Sequence, residues 1–202
     1  YEDEFCEDDG LVDHIPPEKI NTYIFNRDTV DIMISDLMNH GIKHKNGNHV
    51  GKTIIFAQNK RHAKYIIERF DVLYPQYKGA FCKLVVCDEP YAEKNLEDFK
   101  KSDEYPFITV TVDMLETGVD VPEITNLVFA KKVYSRIKFE QMIGRGTRLC
   151  ENLFGEGRDK KEFYIFDYMR NFQFFGENPK GKEPGVSIAP VSARFICMVQ
   201  II

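Results

Sequence analysis

Residues 109–149 read TVTVDMLETGVDVPEITNLVFAKKVYSRIKFEQMIGRGTRL. Two runs rich in β-branched and apolar residues, 106–112 and 126–130, each pass into a polar loop. The second loop leads to a segment in which Phe139, Met142 and Ile143 recur at helical spacing, with Ser135 placed to cap it. The same alternation extends outward, with strand-like runs at 53–57, 83–87 and 163–167 separated by helical patterns. Short apolar strands alternating with helices predict a mainly parallel sheet covered on both faces, an α/β three-layer sandwich.

The stretch also carries chemistry. Residues 111–122 form an acidic, glycine-bearing loop, and a helix-like segment about twenty residues on holds Gln141, Gly144, Arg145 and Arg148. Two guanidiniums three residues apart on a helix project from one face and reach one phosphate group. Such a pair suits a transferring phosphoryl group, whose equatorial oxygens gain charge that an inserted arginine stabilises. In an open α/β sheet functional groups sit on loops at the carboxyl ends of strands, so the loop 113–122 and the loop leading to Ser135 are expected there, with the arginines at the same edge.

Taken as a pair, these segments resemble motifs V and VI of superfamily 2 helicases and translocases. Gln141, Gly144, Arg145 and Arg148 match Gln-x-x-Gly-Arg-x-x-Arg, and Thr111, Thr117, Gly118 and Asp120 match Thr…Thr-Gly-x-Asp. The wording DMLETGVDVPE followed by KFEQMIGRGTRL is most similar to the restriction (R) subunit of type I restriction-modification enzymes, over residues 20–175. The resemblance implies the second RecA-like (P-loop NTPase-type, helicase C-terminal) motor domain. Arg145, Arg148 and Gln141 would be catalytic; Gly118, Asp120 and Gly144 would face the nucleotide; Thr111 and Thr117 would contact DNA. Residues 53–70 resemble motif IV, which adds Gln58, Asn59 and Lys60 as DNA candidates. ATP and Mg2+ would be held mainly by a first RecA-like domain of the same polypeptide. The implied partners are that domain, a nuclease domain, double-stranded DNA and the modification and specificity subunits. The isolated chain is expected to turn over no ATP.

Other readings of the same residues stand beside these. The arginines could form structural ion pairs, Thr111 is also an ordinary strand residue, and residues 58–62 could be an exposed helix start. Phe172, Phe174 and Phe175 either stack on bases or dock the chain's end onto the core. The owner could be a DNA-repair or RNA helicase sharing motifs V and VI, or a non-enzymatic nucleic-acid or protein-binding module.

Two apparent motifs fail on context. Gly51-Lys52-Thr53 invites a phosphate-loop reading, but position 46 is Asn and a strand-like run follows where a helix is needed. Asp88-Glu89 after an apolar run imitates a magnesium-holding acid, yet lacks that upstream loop and reads as the start of a connection to a helix with Leu96 and Phe99. No metal site and no nuclease constellation is expected in this chain.

A net charge of −5 over 202 residues argues against a generally basic nucleic-acid binder, but seven of the 32 acids fall in residues 1–13, where no base occurs. Outside that segment the 27 bases exceed the acids, as they do over 131–182. Residues 1–19 are expected as an acidic connecting segment, 20–175 as the motor domain and 176–202 as a linker plus the start of a helical region. Within the domain, Val30, Met33, Ile34, Leu37 and Met38 predict a first helix stopping at Gly41. Five cysteines without Cys-x-x-Cys or zinc spacing are expected as reduced thiols, and no apolar run reaches membrane-span length, so a soluble cytoplasmic protein is expected. A chain opening on Tyr1 and ending on Ile201-Ile202 is expected to be a piece of a longer polypeptide.

Overall fold

In the run Lys52–Ala57 every residue is buried, the burial pattern of a strand covered on both faces. It is the centre of the sheet in a computed structural model that describes residues 26–87, 89–112, 120–181 and the backbone of 195–200. The elements are α1 (Arg27–His40), β1 (Lys52–Ala57), α2 (Lys60–Leu73), a 3-10 turn (Pro75–Tyr77), β2 (Cys82–Leu84), α3 (Ala92–Lys100), β3 (Ile108–Thr111), β4 (Ile124–Ala130), α4 (Arg136–Ile143), β5 (Glu162–Asp167), α5 (Asn171–Glu177) and β6 (Phe195–Gln200). The sheet order is β2-β3-β1-β4-β5-β6, with the first five strands parallel and β6 antiparallel to β5.

Alternation along each strand divides the core in two. Ile55, Ala57, Val110, Val128, Ala130 and Phe166 face one way, against Val30, Ile34 and Leu37 of α1 and Ala63, Ile66 and Phe70 of α2. Ile54, Phe56, Leu127, Phe129 and Ile165 face the other way, against Phe99 of α3, Phe139 and Met142 of α4, and Phe174 and Phe175 of α5. The result is the expected α/β three-layer sandwich. Phe174 and Phe175 are 2% and 3% exposed, so they dock the chain onto the core and do not stack on bases.

Both long helices start at an asparagine cap, of which the sequence reading had placed the one at Asn59. The Asn26 side chain accepts from the N–H groups of Asp28 and Thr29, and the Asn59 side chain accepts from that of His62. α1 ends at Gly41, and a paired Arg69–Asp31 contact, both N···O distances 2.7 Å, clamps it to α2.

The chain's end differs from expectation. Phe195–Gln200 runs as a strand beside β5, where the start of a helical region was expected. Its apolar FICMVQ sequence suits a strand, and it pairs an edge of β5 that would otherwise present unpaired backbone groups. The acidic segment 1–19 and residues 182–194 of the linker region lie outside the described residues.

Candidate functional site

α4 begins at Ser135, whose hydroxyl accepts from the N–H of Lys138 at 3.4 Å. Phe139 and Met142 bury its inner face, leaving Gln141 exposed on the outer one. The helix stops at Gly144, because the N–H groups of Arg145 and Gly146 turn back to Met142 and Ile143 at 3.2 and 2.9 Å, tighter than helical spacing. Only Gln141 is therefore helical. Arg145 lies in the closing turn and Arg148 in the extended segment beyond it, so the arginines do not share a helix face as the pattern suggested. The turn lies flat on β5: a Cβ built on Gly146 would stand 2.2 Å from the Phe163 ring.

From there the chain runs along the amino ends of the strands. Arg148 Nε lies 3.4 Å from Asp120 Oδ1, and Asp120 is four residues before β4 begins. Cys150 bridges to Lys160, two residues before β5, and the Lys160 ammonium donates to Pro122 O at 2.9 Å. This corrects the expectation of an arginine site at the carboxyl ends. A helix following a parallel strand carries the chain back along it, so groups beyond the helix's last turn emerge at the opposite edge. The carboxyl-end rule governs loops that leave strands, not loops that leave helices.

The DNA candidates lie at the other edge. Asn59 is occupied as a helix cap, with its side-chain oxygen 2.8 Å from the N–H of His62. Lys60 and Lys64 both pair with Glu89, at 2.9 and 2.8 Å, and these two ammonium groups hold the Glu89 carboxyl below its ordinary range. Thr111 is fully enclosed, and neither its hydroxyl nor Gln58 Oε1 has a hydrogen-bond partner among the described residues. Thr117 and Gly118 lie outside the described residues, as does Asp88. Candidates on 58–60 and 111 thus gather at the carboxyl ends of β1 and β3, a full strand length from Asp120 and Arg148.

The phosphate-loop imitation is explained by burial. Lys52 opens β1, is 3% exposed, and donates to the carbonyls of Glu104 and Pro106 at 2.8 and 2.9 Å over the Phe107 ring. Burial lowers its pKa to about 8, and its ammonium is committed to those two carbonyls. His62, exposed in one of the two sequence readings of 58–62, is 2% exposed; its Nδ1 accepts from the N–H of Gln58 at 3.3 Å, and burial pushes its pKa down to about 4. Lys160 and Gly146 were not singled out by sequence at all. The only hint available was the unassigned glycine between two motif arginines.

Chemically, the amino-end edge offers donors. Arg148 and Asp120 are 57% and 59% exposed and meet through one long contact, a pairing weak enough for a polyanion to displace. Arg145 is half-buried in the adjoining turn, and Gln141 and Thr147 are exposed beside it. Among the described residues no three His, Cys, Asp or Glu side chains gather as a metal site would require. The edge therefore offers exposed cationic and amide donors that suit an anion.

The profile of the helicase conserved C-terminal domain matches residues 29–150, from α1 through the arginine segment. The chain belongs to this family. Among curated relatives, the helicase C-terminal domain is 41% identical over 124 residues to the type I restriction enzyme EcoKI endonuclease subunit of Escherichia coli K12, a match covering 57% of the chain. It is 28% identical over 137 residues to the EcoAI endonuclease subunit of Escherichia coli, covering 66% of the chain. These matches span 10% and 16% of the relatives' own lengths, so the chain corresponds to a small part of each. A fragment from Vibrio vulnificus, assigned as the HsdR subunit of a type I restriction enzyme, superposes with a TM-score of 0.61 at 26% identity. That match covers 76% of this chain and 29% of the other. No helix among the described residues is long and apolar enough to cross a membrane.

Proposed function

We propose that this helicase C-terminal domain is the second motor domain of a type I restriction enzyme R subunit, coupling ATP hydrolysis to translocation on double-stranded DNA. The observation that carries the reading is the meeting of Arg148 with Asp120 at an exposed rim, joining two segments 28 positions apart in the sequence that both belong to the motif pair. The 41% identity to a restriction endonuclease subunit supports the choice of owner.

In this reading the nucleotide and Mg2+ are held by a first RecA-like domain, and Mg2+ supplies neutralisation of the phosphate charge there. Arg145 and Arg148 are inserted from this domain toward the γ-phosphate, with Gln141, Gly144, Gly118 and Asp120 facing the nucleotide from the same side. Asp120 holds Arg148 until the stronger anion replaces it. Thr117 in the loop leaving β3 and the residues Gln58, Asn59 and Lys60 would face the DNA backbone, a mode that reads no sequence and suits a motor, while Thr111, fully enclosed, would support that rim from within. Closure on ATP and reopening after hydrolysis would drive the two domains along the duplex. Cleavage would belong to a nuclease domain of the same cytoplasmic polypeptide, and site choice to the modification and specificity subunits. The isolated chain hydrolyses no ATP.

The test is substitution in the full-length protein. Arg148→Ala and Arg145→Ala are each expected to lower DNA-stimulated ATP hydrolysis by about 10³-fold, the scale of a trans-acting arginine, with DNA binding retained. Survival of the ATPase in both variants would sink the assignment.

A further inference from the structure

Lys160 is 1% exposed, an unusual place for an ammonium, which is seldom enclosed without a strong partner. What it bonds to is a carbonyl, Pro122 O, at 2.9 Å. Its backbone N–H donates to Cys150 O, also at 2.9 Å. One residue thus holds two segments: Pro122 is two positions from Asp120, and Cys150 is two positions from Arg148. Beneath it the ammonium rests 6.0 Å from the centre of the Phe163 ring, the ring against which the Gly146 turn lies. Burial lowers the Lys160 pKa to about 8, so at neutral pH the fold keeps a charge where an apolar side chain would be cheaper to enclose.

We infer that Lys160 is a positioning residue for motor chemistry: it ties the Asp120 loop to the Arg148 segment and so fixes where the Arg148 guanidinium is presented. The inference rests on the arginine reading above. Lys160 touches no reacting atom. It acts by holding both rims of the arginine site to one anchor, and a tether lost at this point lets Asp120 and Arg148 drift apart without unfolding the sheet.

The experiment uses the full-length protein with ATP and double-stranded DNA. Lys160→Met is expected to lower kcat for ATP hydrolysis about tenfold or more, with KM for ATP and DNA affinity within about twofold of the parent. Lys160→Arg, which keeps a donor of similar reach, is expected to recover most of the loss. In an Arg148→Ala background Lys160→Met is expected to add less than about twofold, because the group it positions is gone. Melting curves are recorded for every variant. If Lys160→Met does not fold, Lys160→Gln, whose nitrogen is one bond too short for Pro122 O, takes its place in the same comparisons.

An unchanged kcat, a full further loss in the Arg148→Ala background, or a Lys160→Arg variant no better than Lys160→Met would each overturn the inference. An Arg148→Ala protein with normal ATPase would instead overturn the arginine reading, and the Lys160 inference with it; the two failures are told apart by that single variant.

Discussion

Replacing Gly146 by Ala tests the packing beneath the arginine segment. An ideal Cβ on Gly146 stands 2.2, 2.4 and 2.7 Å from Cδ2, Cε2 and Cγ of Phe163. Gly146 is not among the glycines with positive φ, so alanine meets no backbone penalty and the whole cost is steric. Carbon atoms settle at about 3.5–4.0 Å, so ring and turn must separate by more than about 1 Å. Phe163 is fully enclosed and cannot retreat, which leaves the turn 144–146 to lift and carry Arg145 and Arg148 with it. Overpacking of this kind costs about 1–3 kcal/mol. In a domain of this size each kcal/mol lowers Tm by about 2–4 °C, so Gly146→Ala should melt several degrees below the parent. In the full-length protein the same displacement should lower DNA-stimulated ATPase by about 10²-fold, the cost of a 1 Å misplacement. Adding Phe163→Leu, which removes ring atoms from the clash, should make the double variant more stable than the two single losses predict. A Gly146→Ala protein with parental Tm and parental ATPase would refute the reasoning.

Other outcomes follow from buried charge. His62, with a folded pKa near 4 against an ordinary 6.5, binds fewer protons folded than unfolded between those values, so stability falls as pH drops through that window, by up to about 3 kcal/mol. Its ring resonances in NMR should titrate near pH 4, and a midpoint near 6.5 would contradict its burial. Lys52, with a folded pKa of about 8 against 10.5, also binds fewer protons folded, now between pH 8 and 10.5, so its stability contribution rises with pH there. The denaturant midpoint of the parent should gain on that of Lys52→Met as pH is raised from 8 to 10, and a constant difference would count against an enclosed ammonium. Arg69→Ala removes a two-pronged ion pair between α1 and α2 whose side chains are 13% and 21% exposed. It should cost about 1–2 kcal/mol in chemical denaturation, and an unchanged midpoint would mark the pair as ornamental.

The sheet was legible because its signals are local. Residues 54–57 and 127–130 are apolar throughout, and Asn59 and Ser135 stand where helices need caps; each statement uses residues within one element or at its start. The arginine segment was half legible. The spacing in Gln141, Gly144, Arg145 and Arg148 pointed to the chemistry, but treating it as one helix hid the exit of the chain at Gly144 and the seat of Gly146 on the Phe163 ring 17 positions later. Lys160, His62 and Lys52 were illegible for a related reason. Lys160 and Lys52 are enclosed because distant carbonyls accept from them, and Pro122 and Glu104 cannot be recognised as acceptors before the fold brings them near; His62 accepts from the N–H of Gln58 four positions earlier, and its enclosure too is set by packing that the local sequence does not show. At the chain's end, FICMVQ carries strand composition, but a strand needs an open edge, and that β5 had one is a property of the sheet.

On the proposed reading, the amino-end position of Arg148 bears directly on how one domain could serve two polyanions. The parallel sheet has one edge where loops leave strands, and there β1 and β3 gather Gln58, Asn59, Lys60 and Thr111. The other edge is where chain returns from helices, and there Asp120 and Arg148 meet. A domain that used its carboxyl-end crevice for both nucleic acid and triphosphate would have to crowd two polyanions onto one face, with like charges costing free energy at short range. Separating them by the length of β4, seven residues or about 23 Å at the rise of a strand, leaves the charges beyond two screening lengths at physiological salt. On the same reading Lys160, whose ammonium donates to Pro122 O at 2.9 Å, belongs to the Arg148 side of the sheet, so its loss should disturb the arginines and leave the opposite rim in place.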